Sequence, residues 1–196
     1  MPDRDDAARL QVIVGDHADG RIPCHDARAA VAQVVLDRID ADRVSFWRFV
    51  QPEGRADHSL ELHCFAARWR GKPLDACHDR LVLDEYRDYW NALIERGTIV
   101  SPDAMHDPVL APMREPYLQK HDVRSLLDAT FALNGRAYGM ICCEVMGRRV
   151  AWRPADVQAL RAIATKLAVL LAGSDDVSNL WSNPSLPLKQ IHASAS

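Results

Sequence analysis

The chain has no apolar run approaching the roughly 18–20 residues of a membrane-spanning helix. Its first residues, Met1-Pro2-Asp3-Arg4-Asp5-Asp6, are acidic and lack the apolar centre of a signal peptide. Neither sign of charge dominates: 24 Lys and Arg stand against 27 Asp and Glu, a formal net charge of −3. That balance gives no basic footprint for nucleic acid, and no basic helix marks a membrane surface. A phosphate-cradling Gly loop, a Ser-His-Asp order and a paired-carboxylate constellation are all missing. Catalysis therefore lacks candidates, and the chain is not expected to be an enzyme. The five cysteines (Cys24, Cys64, Cys77, Cys142, Cys143) are odd in number and follow no secretion signal. They are expected to be reduced thiols in a cytoplasm.

What is present suits one globular domain with appended tails: 196 residues, 48% apolar and 26% charged. A short helical candidate, Ala7 to Val14, lies in a lead-in of residues 1–24 that is expected to be partly disordered. From His25 the apolar positions Ala27, Ala30, Val31, Val34, Val35 and Ile39 fall at helical spacing, with His25 or Asp26 as a cap. Arg43 to Val50 reads as a strand, Pro52-Glu53-Gly54 as a turn, and Leu60 to Ala67 as an antiparallel partner. Gly71-Lys72-Pro73 is a break. Asp84 can cap a helix carrying Tyr86, Tyr89, Trp90, Leu93 and Ile94, which Gly97 stops.

Ile99-Val100 is a short strand. Residues 103–124 form an irregular cover with a short helix expected from Met113 to His121. Val123–Leu133 and Ala137–Val145 are strands joined at Asn134-Gly135, both of which tolerate positive φ. Pro154 opens the last helix, with Val157, Leu160, Ile163, Leu167, Leu170 and Leu171 on its apolar stripe and Gly173 at its end. Residues 174–196 lack periodicity and are expected to be a disordered tail. The order implies an α+β fold, a central antiparallel sheet with helices on one face and the 69–83 and 103–124 segments on the other. A long connection of that kind inside a compact domain is usually functional, and the space beneath it is the natural pocket.

Several motifs carry a resemblance to a known family. They are Asp42-Arg43-Val44-Ser45-Phe46-Trp47, Asp103 with His106-Asp107-Pro108, Tyr117-Leu118, Val123 to Ala129, Gly135-Arg136, Gly139 to Cys142 with Glu144, and Ala151-Trp152. With their order they resemble the GAF domain, a bacterial sensory module related to the PAS fold and found ahead of histidine kinases and diguanylate cyclases. The domain is expected to span 25–173, and the resemblance covers about residues 25–172. It implies a GAF/PAS-like sheet of five to six strands, N- and C-terminal helices on one face, and a loop and short-helix cover on the other.

The resemblance also implies a small-molecule pocket. Its lining would come from Trp47 (or Phe49), Phe65, Trp90 (or Tyr89), Met105, Leu110, Met113, Tyr117, Leu127, Ala129 and Met140. Asp103, His106 and Asp107 sit where such domains place polar ligand contacts, although Asp-Pro equally favours a turn. Ser125 can point inward and donate to a ligand. Bilin-binding relatives carry a Cys-His pair where this chain has Glu115-Pro116, so no cofactor is expected, and haem and bilin are disfavoured. No output domain follows residue 172, so signalling is expected to reach a partner protein or an output lying outside this sequence. A homodimer is expected through the first and last helices, with Val31, Val35, Leu160 and Leu167 in the seam.

Two other readings stay open. One is a thiol redox enzyme or sensor acting on a small oxidised metabolite through Cys64, Cys77 or Cys142. The neighbouring Cys142 and Cys143 point to opposite faces of a strand and are not expected to bond to each other. The other is a dimerising scaffold whose pocket is filled by its own side chains. His63, Cys64, Cys77, His78, His106 and His121 lack the paired spacing of a zinc site, and no metal is expected.

Overall fold

In the computed structural model, which describes residues 4–51, 60–172, 180 and 186–187, the chain opens with helix α1 (Arg4–Ala18) and helix α2 (Cys24–Arg38). Strand β1 (Arg43–Val50) and β2 (Glu61–Trp69) pair antiparallel, and two short strands, β3 (Leu74–Asp75) and β4 (Arg80–Val82), both lie along the outer edge of β2. Helix α3 (Arg87–Arg96), β5 (Thr98–Ser101), β6 (Val123–Leu133), β7 (Arg136–Met146) and α4 (Pro154–Ala172) follow. The sheet runs β3-β2-β1-β7-β6-β5, with β4 beside β2 and a two-residue β8 (Leu186–Pro187) beside the start of β7. The β6–β7 hairpin turns at Asn134 (φ 52°) and Gly135 (φ 73°), the left-handed pair that a two-residue turn requires. Gly97 takes the left-handed position that stops α3 (φ 69°), its amide donating to the carbonyl of Leu93.

Alternation along the central strands splits the interior in two. Val44 and Phe46 of β1, Leu127, Ala129 and Phe131 of β6, and Ile141 and Cys143 of β7 face α1, α2 and α4. The intervening residues Trp47, Leu126, Met140 and Cys142 face α3 and the connection between β5 and β6. This is the expected arrangement: N- and C-terminal helices on one side, a cover on the other.

Several expectations change. Helix α1 is longer than Ala7–Val14, and its Leu10 and Val14 are buried against the helical layer. Pro23, not His25 or Asp26, stands at the start of α2. At α3 the N-cap position is Tyr86, and Asp84 belongs to a preceding 3-10 turn, where it pairs with Arg87 at 3.1 Å. The cover holds no α-helix. It is a 3-10 stretch over Pro108–Met113 followed by a π-helical turn over Arg114–Gln119. Pro108, Pro112 and Pro116 supply no N–H for a regular ladder, which accounts for the departure. The turn expected at Pro52-Glu53-Gly54 lies outside the described residues, as does most of the 174–196 tail. Of the tail's described residues, Leu180 is buried and Leu186–Pro187 pairs with Arg136 and Ala137.

The dimer seam named from the sequence is corrected. Val31, Val35, Leu160 and Leu167 are fully buried in the protomer's own helical-layer core, because each helix spends that stripe on the sheet. The reading of five reduced thiols is also corrected: Cys64 and Cys77 are joined in a disulfide, Cα to Cα 5.3 Å, because the β3–β4 segment folds back along β2. Cys24, Cys142 and Cys143 take no part in a disulfide among the described residues. Among the described residues, no helix is long and apolar enough to cross a membrane.

Candidate functional site

The cover-side face of the sheet is built in cross-strand rows. Arg43 of β1 lies opposite Glu144 of β7, which lies opposite Leu126 of β6. Two residues along, Ser45, Cys142 and Asp128 stand side by side, and then Trp47, Met140 and Thr130. The period of two that places apolar residues under the cover thus also places a basic, two acidic, two hydroxyl and one thiol side chain there. Burying so many polar groups is costly unless each finds a partner.

Most of them do. Arg43 lies 3.1 Å from Glu144 Oε2 as an ion pair and donates to the Tyr117 hydroxyl at 3.2 Å, and that hydroxyl donates to Glu144 Oε1 at 2.6 Å. Tyr117 reaches this cluster from the π-helical turn of the cover. At the neighbouring row the Tyr89 hydroxyl, carried in by α3, donates to Asp128 Oδ2 at 2.6 Å and lies 3.1 Å from Met140 Sδ. Trp47 Nε1 donates to Ser45 Oγ at 2.9 Å, and its ring meets Tyr117 edge-on at 6.1 Å. Among the buried polar atoms without a hydrogen-bond partner on this face are Oδ1 of Asp128, Oε2 of Glu144, which keeps the Arg43 guanidinium as its ion-pair partner, and the indole nitrogen of Trp90, which packs against Phe49.

Burial controls the protonation of this face. Desolvation pushes the Asp128 carboxyl up to about 7; the neighbouring Cys142 thiol and the Tyr89 hydroxyl oppose the rise, and the Glu144 charge adds to it. Glu144 is likewise raised by burial, against the pull of Arg43 and Tyr117. Burial raises the Tyr89 and Tyr117 hydroxyls well above the ordinary phenol value, so both remain donors. The Cys142 and Cys143 thiols are raised by the same cause, which denies either one the thiolate that redox chemistry needs.

The sequence-named site residues separate into three groups. Trp47, Trp90, Met113, Tyr117 and Met140 gather on the cover side of the sheet. Phe65 and Leu127 do not; both belong to the helical side. Leu127 falls there by strand parity. Phe65 falls there because the β1–β2 register shifts between Phe46 and Trp47, leaving Ala66 opposite Phe46 and Cys64 opposite Trp47 with Phe65 between them as an extra residue. It stacks at 6.3 Å on Phe46, under the Arg28 guanidinium at 4.8 Å.

Asp103, His106, Asp107 and Ser125 have local partners. Asp103 pairs with Arg149 at 2.9 Å and with His106 at 3.0 Å on the surface. Asp107 caps the 3-10 stretch by accepting from the Val109 amide at 3.0 Å. Ser125 donates to the Pro102 carbonyl and accepts from the Val150 amide, both at 2.8 Å. Sequence reasoning missed Arg43, Asp128 and Glu144 as site residues. Their signal in the sequence is a charge set among the apolar residues of a strand. Among the described residues, no three His, Cys, Asp or Glu side chains are gathered as for a metal ion.

With this geometry in hand, comparison with known proteins places the chain. A sequence profile described as the GAF domain matches residues 24–171. No curated protein matches the chain in sequence. Among solved structures, the phycoerythrobilin-bound GAF domain from a cyanobacterial phytochrome superposes with a TM-score of 0.63 at 17% identity, covering 89% of this chain and 96% of that one. The phycocyanobilin-bound GAF domain from a cyanobacterial phytochrome gives 0.62 at 16%, covering 86% and 94%. A chromophore-binding domain of the Stigmatella aurantiaca bacteriophytochrome gives 0.60 at 16%, covering 89% of this chain and 62% of that one.

The same comparison overturns the expectation of no cofactor. Structures sharing this fold are bilin-bound GAF domains, so Glu115-Pro116 in place of a Cys-His pair does not set the bilin class aside. A thiol at that position bears on covalent attachment, whereas enclosure depends on the shape and polarity of the whole face.

Proposed function

Because the chain belongs to the GAF family, we propose that it is a sensory domain that binds a small, largely apolar ligand between the sheet and the cover of residues 102–122. Trp47, Trp90, Met113, Tyr117 and Met140 form the apolar walls. The observation that carries the reading is Asp128. A fully buried carboxyl at the centre of the sheet has one oxygen held by Tyr89, the other without a geometric hydrogen-bond partner, and beside it only the Cys142 thiol, a weak donor. An unmade bond at such a site costs about 1–3 kcal/mol, and a ligand N–H would recover it.

A bilin, the ligand class of the similar solved structures, meets that requirement with apolar rings and N–H donors. Ligand entry displaces the 3-10 and π-helical segments, which the prolines keep from packing as a regular helix. Occupancy then shifts the strands that carry Asp128 and Glu144, and with them α2 and α4 on the opposite face, so that output reaches a partner protein or a second copy by a population shift.

The test is incubation of the purified chain with phycocyanobilin and, separately, phycoerythrobilin, followed by gel filtration, visible absorption and native mass spectrometry. Retention of either pigment at one per chain, weakened in Asp128→Ala, supports the reading. Exclusion of both pigments, together with a bare protein mass when the chain is isolated from cells, favours the filled scaffold instead.

A further inference from the structure

The Cys64–Cys77 disulfide lies where the β3–β4 edge segment meets the buried polar cluster. Cys77 walls two open clefts, one of about 260 Å³ toward Arg48 and Arg80 and one of about 240 Å³ toward Trp69 and His121. Cys64 borders only the first, and its sulfur faces the Ala66 carbonyl at 3.8 Å. The Arg43 guanidinium donates to Cys77 Sγ at 3.4 Å, and Asp79 Oδ2 stands 3.5 Å from the same sulfur. Asp79 faces His121 Nε2 at 3.6 Å and the Lys120 ammonium at 3.9 Å on its other side. Cys142 and Cys143 are free but sealed, and burial disfavours their thiolates. The molecule therefore holds one bonded pair of sulfurs, themselves buried, that borders two clefts and meets a buried positive charge at Cys77.

We propose that Cys64 and Cys77 are a redox-active pair that responds to small hydroperoxides, with Cys77 the sulfur that reacts first and Arg43 the positioning residue that favours its thiolate. In the reduced protein the Cys77 thiolate attacks the terminal peroxide oxygen. An S–O bond forms, the O–O bond breaks, and the leaving alkoxide takes a proton to become an alcohol, or water when the oxidant is hydrogen peroxide. The Cys64 sulfur then attacks the Cys77 sulfenic acid, forming the S–S bond and expelling hydroxide, which takes the Cys64 proton and leaves as water. Two thiols lose two electrons and one hydroperoxide gains them.

Cys77, not Cys64, is the attacking sulfur because only it touches the guanidinium and opens to both clefts. Asp79 works against the thiolate, so the pair is poised by two opposing charges. Arg43 also holds Glu144 and Tyr117, which puts the state of the disulfide in direct contact with the polar floor under the cover. The chemistry itself does not depend on the ligand reading.

The experiment uses the full chain, reduced with dithiothreitol and freed of it. Native-state labelling with iodoacetamide at neutral pH, followed by peptide mass spectrometry, gives a rate for each cysteine. Cys77 is expected to label at least about tenfold faster than Cys24 or Cys142. Arg43→Gln should slow Cys77 by about tenfold, the equivalent of one unit in thiol pKa, and Asp79→Asn should speed it. Equimolar hydrogen peroxide should restore the Cys64–Cys77 cross-linked peptide in the wild type, and in Cys64→Ser it should leave a Cys77 sulfenic acid that dimedone traps.

Cys77 labelling no faster than Cys24, or peroxide producing no 64–77 cross-link, overturns the proposal. If Arg43→Gln does not fold, Asp79→Asn decides the electrostatic part, and a rate that is unchanged or lower refutes it.

Discussion

The Tyr117 hydroxyl donates to Glu144 Oε1 at 2.6 Å across 27 residues of sequence, and this bond ties the irregular cover to the centre of the sheet. Arg43 completes the triangle from the neighbouring strand, 3.2 Å from the hydroxyl and 3.1 Å from the carboxylate. The cover is thereby fastened by a charge-assisted bond at the point where its backbone is least regular.

Tyr117→Phe removes that fastening while keeping the ring. Glu144 Oε1 loses its donor inside the protein, a loss of about 1–3 kcal/mol. Urea unfolding should show a lower midpoint by that amount, and amide exchange should accelerate in residues 108–121 more than in β6 and β7. Uniform acceleration throughout the sheet would mean that the bond is not a local clamp.

Asp128 gives the domain a pH dependence. Its carboxyl titrates near 7 in the fold and near 3.9 in an unfolded chain. Between those values the native state holds a proton that the unfolded state has released, so stability falls as pH rises through that window. The full effect is present above pH 7 and is on the order of 2–4 kcal/mol. Asp128→Asn cannot lose the proton, so the variant should match the wild type near pH 4 and exceed it near pH 8. Thermal unfolding across that range checks this, and a gap that widens toward acid would contradict the assignment.

Ser125 belongs to the scaffold in this structure. Its hydroxyl joins the Pro102 carbonyl to the Val150 amide, linking the end of β5 to the segment that leads into α4. Ser125→Ala strands the Val150 amide and should cost about 1–3 kcal/mol in chemical denaturation. Pigment uptake by the folded variant should be unchanged.

Leu160 is fully buried beneath α4, whereas Val169 on the same helix is 46% exposed. Leu160→Ala should destabilise by about 2–5 kcal/mol through the cavity that it leaves. Val169→Ala should stay within about 0.5 kcal/mol, as surface changes do. Equal effects in denaturant titrations would mean that α4 does not present these faces as described.

Local pattern made most of the secondary structure legible. Asn134-Gly135 marked the β6–β7 hairpin, Gly97 the end of α3, Pro154 the start of α4, and β-branched and aromatic residues marked β1. These signals act through φ and side-chain period, which neighbouring residues determine. The cover was readable as irregular but not as 3-10 and π turns, because that choice depends on how Leu110, Met113 and Leu118 seat against the sheet.

The site was half legible for a related reason. Trp47, Trp90, Met113, Tyr117 and Met140 can be placed under the cover from their parity and position. Phe65 cannot, since one extra residue in β2 reverses its face, and nothing in Leu62 to Ala67 announces a bulge. The Arg43–Glu144–Tyr117 triangle and the Cys64–Cys77 bond join positions 13 to 101 residues apart. The α+β order, the two-faced sheet and the turn positions follow from periodicity and backbone freedom, which neighbouring residues set. Which charges meet and which sulfurs bond follows from strand register, because register, not composition, sets the distances on which electrostatics and thiol chemistry depend.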